Sequence, residues 1–270
     1  MSKIVALDAG HGLYTSGKQT PDGIKEWTLN DKVRDKVVVL LKDYDVNFIF
    51  PDGNEGNTDE NLTSRRTMYV NKKVDAAVSI HHNAFTGTWG NVTGVEVWMD
   101  KNHTAADKKL AEAIYTRLVK NTGLKGRGIK QMNWTVINQN EVPAVLTEGG
   151  FMDSKKDYAV ITSANGQTAY AKAIADGLIE FLNLEKKTAG VKTLYRVQTG
   201  AFRNKNYARN MFDRVEAAGF SPCMVLNAGL YKIQVGAYEK KGNADAACRK
   251  LKAAGFDSYI ATVGGAVVPV

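Results

Sequence analysis

The sequence predicts two folds in series: an α/β domain over residues 1–184, with a largely parallel sheet flanked by helices, and a small α+β domain over residues 194–270. The second is expected to run β-α-β-β-α-β, with a four-stranded antiparallel sheet covered by two helices. Three observations carry this. Strand-like and helix-like stretches alternate through the first part, the pattern of a parallel sheet with crossovers. "YRVQTGAFRNKNYARNMFDRVEAAGFSPCMV" from Tyr195 matches "YKIQVGAYEKKGNADAACRKLKAAGFDSYIA" from Tyr231 without a gap, an internal duplication. Between the two parts lies "NLEKKTAGVKT", polar and aperiodic, which places a linker at residues 185–193.

Taken in order, "IVALDAG" is an apolar run ending on glycine, a first strand. Leu29, Val33, Val37, Leu40 and Leu41 recur at helical spacing and form one face of a helix that starts near Glu26. "VNFIF", "AAVSI", "GVEVWM" and "AVLTE" are short apolar runs that read as further strands. Helices are expected over Leu62–Asn71, Ala105–Lys120 and Tyr170–Leu182. In the duplicated part, Tyr195, Val197 and Thr199 alternate with Arg196, Gln198 and Gly200, the period of a half-buried strand. Ala208, Met211, Phe212, Val215 and Ala218 make the apolar stripe of the next helix, mirrored by Ala244, Ala247, Cys248, Leu251 and Ala254. Gly219 and Gly255 stop those two helices.

With 270 residues, 44% of them apolar, the chain can bury a substantial core and has room for about two domains. No apolar stretch approaches the roughly 20 residues that cross a bilayer. The first residues read as a strand and not as a leader, so synthesis in the cytoplasm without a signal peptide is expected. Cys223 and Cys248 are too few for a disulfide framework and are expected to be free buried thiols; a single bridge between them stays open. Charge is unevenly spread: residues 1–190 hold 24 Lys+Arg against 23 Asp+Glu, and residues 191–270 hold 12 against 5. A basic C-terminal module suits a polyanion, and nucleic acid and an anionic cell wall are both candidates.

Three strands end on residues that bind or activate metals: "DAGHG" at His11, "AVSIHHNA" at His81 and His82, and "AVLTEGGF" at Glu148. In open α/β sheets, sites gather beyond the carboxyl ends of strands, so residues distant in sequence converge there. A hydrolytic zinc needs three protein ligands and an open position, and imidazole with carboxylate is a standard mix. His11 and His81 can supply two ligands and Glu26 the third, leaving Glu148 to move protons. Each also has an ordinary explanation. A histidine after a strand is commonly a hydrogen-bonded structural residue, and a glutamate at a helix start is favoured by the helix dipole. His81 and His82 point to opposite sides if the strand runs through them, so at most one is a ligand.

"ALDAGHG", "KEWTLN", "LTSRR", "DAAVSIHHNA", "RGIK" and "VPAVLTEGGFMD" stand in the order and approximate spacing of the N-acetylmuramoyl-L-alanine amidase type 3 family of zinc hydrolases, which residues 3–183 resemble. The resemblance implies a Zn2+ ion held by His11, Glu26 and His81, with Glu148 catalytic. It implies hydrolysis of the amide between N-acetylmuramic acid and the L-alanine of the peptidoglycan stem peptide. The chain departs from the pattern at His82, where a small residue is common, and at "EGGFMD", where "ExGFxxN" is usual. His82 is expected to line the substrate cleft or donate to the developing oxyanion, the ordinary alternative being a partly exposed neighbour of the site, and Asn83 to orient a carbonyl or sugar or else to serve a structural turn. For Arg65 a structural salt bridge is expected, and His103 is assigned no function.

The duplicated part resembles the sporulation-related repeat (SPOR) domain, whose sheet binds peptidoglycan. With Tyr195, Val197 and Thr199 facing the helices, Arg196, Gln198 and Phe202 would face out, as would Lys232, Gln234 and Tyr238 in the second copy. Amides, cations and rings suit sugars and anionic wall polymers. No RNA-recognition signature accompanies them, so peptidoglycan is the expected partner and nucleic acid is not. The setting implied is cell lysis: a phage endolysin, or an autolysin of a sporulating mother cell, reaching the wall after lysis or through a membrane hole. The competing readings are a peptidoglycan binder without turnover and a zinc hydrolase of another peptidoglycan bond.

Overall fold

The computed structural model describes residues 2–53, 56, 59–138, 141–187, 194–262 and 266–270. The chain divides into two compact units, Met1–Lys187 and Thr188–Val270. The sheet of the first contains β1 (Lys3–Ala9), β2 (Val46–Ile49), β3 (Ala76–Asn83), β4 (Val95–Met99), β5 (Gly126–Gln131) and β6 (Ala144–Phe151), in spatial order β2-β1-β3-β6-β4-β5. β1, β2, β3 and β6 are parallel, β4 runs against β6, and β5 is parallel to β4. The central strands are apolar on both faces, as a sheet covered on both sides requires; Val5, Leu7, Val78, Ile80 and Val145 are all buried.

The helices are α1 (Glu26–Leu40), α2 (Leu62–Asn71), α3 (Ala105–Thr122), α4 (Lys155–Ile161) and α5 (Ala164–Leu182). Thr104 and Asp107 form a reciprocal capping box at the start of α3, and Gly123 ends it in the left-handed conformation. α5 packs on both α1 and α3. Gly177 permits the closest approach, because a Cβ there would fall 2.6 Å from Ile114 Cγ1. Within α1, Arg34 is fully buried and paired with Asp31 and Asp52. Burial disfavours its charge, but Asp52, Asp31 and Asp35 outweigh that and push its pKa upward.

Several elements differ from the sequence expectation. β5 was not expected, because "GRGIKQ" is glycine-rich and charged and forms an edge strand paired on one side only. α4 is a short helix that no periodicity announces, and α5 begins at Ala164 instead of Tyr170, set by the Ser163 cap. Of the expected linker, residues 188–193 lie outside the described residues. Residues 185–187 are tied down: Asp45 N donates to Glu185 O at 2.9 Å, and Lys187 N donates to Asp43 O at 2.8 Å.

The second unit holds β7 (Tyr195–Phe202), α6 (Lys205–Ala217), β8 (Cys223–Asn227), β9 (Leu230–Tyr238), α7 (Lys241–Ala253), β10 (Tyr259–Ala261) and β11 (Ala266–Val268). The sheet order is β10-β7-β9-β8-β11, with all pairs antiparallel. It has five strands and not four: in "AVV" the first and third residues are buried, and the segment adds to the edge of β8. Both helices end alike. Gly219 and Gly255 take φ +86°, while Phe220 N and Phe256 N reach back to the carbonyls of Val215 and Leu251. Cys223 and Cys248 are free thiols, half-buried where burial was expected, and burial pushes the Cys223 thiol pKa up.

Candidate metal centre

The apolar run of β1 ends on Gly10-His11-Gly12, and the geometry there explains the spelling. Gly10 lies against the imidazole of His81, so close that a Cβ on residue 10 would fall 2.0 Å from His81 Cε1. His11 has φ 65°, a left-handed conformation that costs an L-residue about 1–2 kcal/mol. The turn brings its ring edge-on to His81, with centroids 4.8 Å apart and planes at 88°. Arg65 of α2 holds the turn in place. Its guanidinium donates to Asp8 Oδ1 at 2.8 Å, to Ala9 O at 3.1 Å and to His11 O at 3.0 Å. It is therefore a structural clamp, as expected.

Glu26, the first residue of α1, is buried between the two imidazoles. One of its oxygens is 3.0 Å from His81 Nδ1 and the other is 3.4 Å from His11 Nε2. One donor atom each from His11, Glu26 and His81 lies within 4.8 Å of the others. Burial alone would raise the Glu26 pKa, but the hydrogen bond and charge of His81, with His11 and Lys18, hold it down to about 2. Burial lowers the His11 pKa to about 4, against the pull of Glu26. A neutral imidazole and an ionised carboxylate are the protonation states in which these groups ligate a divalent ion. The donor set fits such an ion.

Asn30, one turn along α1 from Glu26, fastens the helix to the strand ends. It donates to Gly10 O at 3.0 Å and lies 2.7 Å from His82 Nδ1. His82 is thus corrected from cleft to interior. Alternation along β3 turns it away from His81 into the layer between α1 and α5, where it is buried and edge-on to Tyr170. Burial lowers its pKa to about 4. Asn83 closes β3, half-exposed, with its side chain 3.4 Å from Glu96 Oε2.

Glu148 pairs in register with His81 on one side and with Glu96 on the other. The residue is partly exposed, yet its Oε2 is buried and has no hydrogen-bond partner among the described residues. Burial, reinforced by the charges of Glu26 and Glu96, raises its pKa well above the ordinary carboxylate range. Two glycines follow because the space is taken: a Cβ on Gly149 would fall 2.0 Å from the Tyr170 ring. Tyr170 in turn donates to His81 O or to Thr147 Oγ1.

Sequence reasoning missed Glu96. It is buried and accepts from Lys130 Nζ at 2.7 Å, Trp98 Nε1 at 3.0 Å and Arg127 Nε. Burial pushes its pKa up, but Lys130 and Arg127 outweigh this and lower it. The "RGIK" motif contained both cations; their carboxylate partner shows only when β4 is laid beside β5.

In the second unit, Arg196, Phe202, Lys232, Gln234 and Tyr238 are all half-exposed. Gln198 is corrected from exposed to fully buried. It sits on β7 between Gln234, which accepts its amide at 3.3 Å, and Tyr259 of β10. Lys232 of β9 brings its ammonium to 5.8 Å from the Tyr259 ring, roofing the strand between them. Phe202 and Tyr238 lie over Gly200 and Gly236, where a Cβ would fall 2.4 Å and 2.6 Å from the respective side chains.

Comparison with known proteins agrees with this architecture. The N-acetylmuramoyl-L-alanine amidase family matches residues 5–180 and the SPOR domain matches residues 191–262. The endolysin of Bacillus phage SPP1 is 35% identical over 193 residues, 70% of this chain and 70% of that protein. The sporulation-specific N-acetylmuramoyl-L-alanine amidase of Bacillus subtilis (strain 168) is 30% identical over 224 residues, covering 82% of this chain and 84% of its own length. The solved catalytic domain of CwlV, an N-acetylmuramoyl-L-alanine amidase from Bacillus (Paenibacillus) polymyxa var. colistinus, superimposes with a TM-score of 0.61 at 30% identity, covering 68% of this chain and 99% of that one. The chain belongs to the N-acetylmuramoyl-L-alanine amidase family and carries a SPOR domain after its catalytic domain.

Proposed function

We propose that this peptidoglycan amidase is a zinc enzyme whose ion is held by His11, Glu26 and His81, with Glu148 as the proton-transfer group. The observation that carries the reading is the approach of those three donor sets to within 4.8 Å, one strand away from Glu148. When bound, zinc supplies Lewis acidity toward the amide carbonyl and the attacking water. The partly exposed Glu148 carboxylate would take a proton from the attacking water and deliver it to the departing L-alanine nitrogen. A raised proton affinity suits a group that must both accept and donate near neutral pH. Asn83 stands beside the metal-binding strand end to orient the substrate.

The bond cut is the amide between the lactyl group of N-acetylmuramic acid and L-alanine. The C-terminal unit, with 12 Lys+Arg against 5 Asp+Glu over residues 191–270, holds the enzyme on peptidoglycan and its anionic polymers. Arg196, Lys232, Gln234, Phe202 and Tyr238 supply its contact face. An endolysin and a sporulation-specific amidase among the relatives support a role in cell lysis, reached from the cytoplasm once the membrane is opened. Metal analysis of the purified chain, with digestion of walls and identification of the newly exposed amino terminus, tests the reading. Zinc at one equivalent and free L-alanine amino groups are expected. A metal-free active enzyme, or a different new terminus, overturns it.

A further inference from the structure

The loop between β3 and β4 is held more firmly than its exposure requires. Phe85, Thr86 and Gly87 donate successive backbone N–H groups to one oxygen of Asp153, at 2.8, 2.8 and 2.9 Å. Gly90 N donates to Asp153 O at 2.8 Å, Lys155 N returns a bond to Gly90 O, and Met152 N fastens Asn83 O at 2.7 Å. Asp153 is buried. The clamp presents rings to solvent: Phe85 is 70% exposed and Trp89 41%. Trp89 lies edge-on to Tyr158 at 5.1 Å, and the Tyr158 hydroxyl donates to Asp22 on the segment leading to Glu26. Tyr14, three residues after His11, is 78% exposed.

Large exposed rings on a loop whose backbone is clamped next to the strand end of a hydrolytic centre mark a binding surface. Its chemistry selects the occupant. Residues 84–94, "AFTGTWGNVTG", contain two aromatic residues, three threonines and no charge. That combination offers apolar faces and hydroxyls, which match the two sides of a pyranose ring. The carboxylates of a stem peptide would find no cation in this loop.

We infer that Phe85 and Trp89, on the loop clamped by Asp153, form a platform for the sugar rings of the glycan strand flanking the scissile bond. This rests on the amidase reading above. The test uses the full chain and two soluble substrates with the same stem peptide, one carrying a single muramoyl sugar and one a β-1,4-linked tetrasaccharide. Phe85→Ala is expected to raise KM for the tetrasaccharide about fivefold, the size of one aromatic contact, with kcat within about twofold and the single-sugar KM unchanged. Phe85→Trp should restore the lower KM. An unchanged tetrasaccharide KM, or an equal rise on both substrates, overturns the platform. Should the wild-type chain release no L-alanine amino groups, the amidase reading fails by itself. Binding of the β-1,4-linked N-acetylglucosamine tetramer, followed by tryptophan fluorescence, then decides the platform: the same loss in Phe85→Ala supports it and equal affinity rejects it.

Discussion

The two units solve opposite problems with their polar residues. In the first, His11, Glu26, Asn30, Arg65, His82 and Glu96 are buried or nearly so and are joined by hydrogen bonds. In the second, the cations and rings proposed for binding are half-exposed, and Gln198 alone of the expected contact residues is buried, its amide donating to Gln234. Catalysis needs donor atoms fixed to within tenths of an ångström, and burial with full partnering supplies that rigidity. Holding a repetitive polymer needs area and charge, and a sheet face with mobile side chains is enough.

The sharpest way to break this contrast is at Glu148. Glu148→Gln should lower turnover by roughly 10²–10⁴-fold while metal content stays at one equivalent, if the group has the proton-transfer role proposed for it and is not a ligand. Loss of metal with activity would place Glu148 among the ligands. Next comes Gly10→Ala, whose Cβ would strike the His81 ring. Displacing this proposed ligand should weaken zinc affinity by about 10–100-fold, measured against a competing chelator. Asp52→Ala removes a partner of the buried Arg34 and should cost about 3–5 kcal/mol of stability by denaturant titration.

Deleting residues 188–270 should lower activity on intact walls by about tenfold or more and leave soluble muropeptide cleavage unchanged, because the lost term is local concentration. Equal loss on both would mean the second unit supports the catalytic one. The smallest effect is expected from Glu96→Gln. Its charge raises the pKa of Glu148, and a general base in the role proposed for Glu148 works as a carboxylate, so removing that charge should move the acid limb of the kcat/KM profile to lower pH. A limb that moves up, or stays, separates Glu96 from proton transfer.

What could be read from the chain was whatever depends on local order. The strands ending at His11, His81 and Glu148, and the helix opening at Glu26, follow from apolar runs and their stops, so their convergence at one edge was legible. Cross-strand adjacency was not. Glu96 had no motif of its own, yet it faces Glu148 directly. Gln198 alternates like an exposed residue and is buried because Lys232 and Tyr259 close over it from neighbouring strands. Alternation set His82 opposite His81, yet it was expected in the substrate cleft; it is buried instead between Asn30 of α1 and Tyr170 of α5, residues with no sequence marker of that role.

The order of strands in the C-terminal unit bears on how such a duplication can exist at all. β7 and β8 come from the first copy, β9 and β10 from the second, and they alternate across the sheet. Each long strand is therefore zipped to the other half, and the Ala228–Gly229 turn is their only covalent tie within the hairpin. One half on its own would be left with gaps where the other's strands belong, so an ancestor of half the length could have closed this sheet only as a pair of molecules.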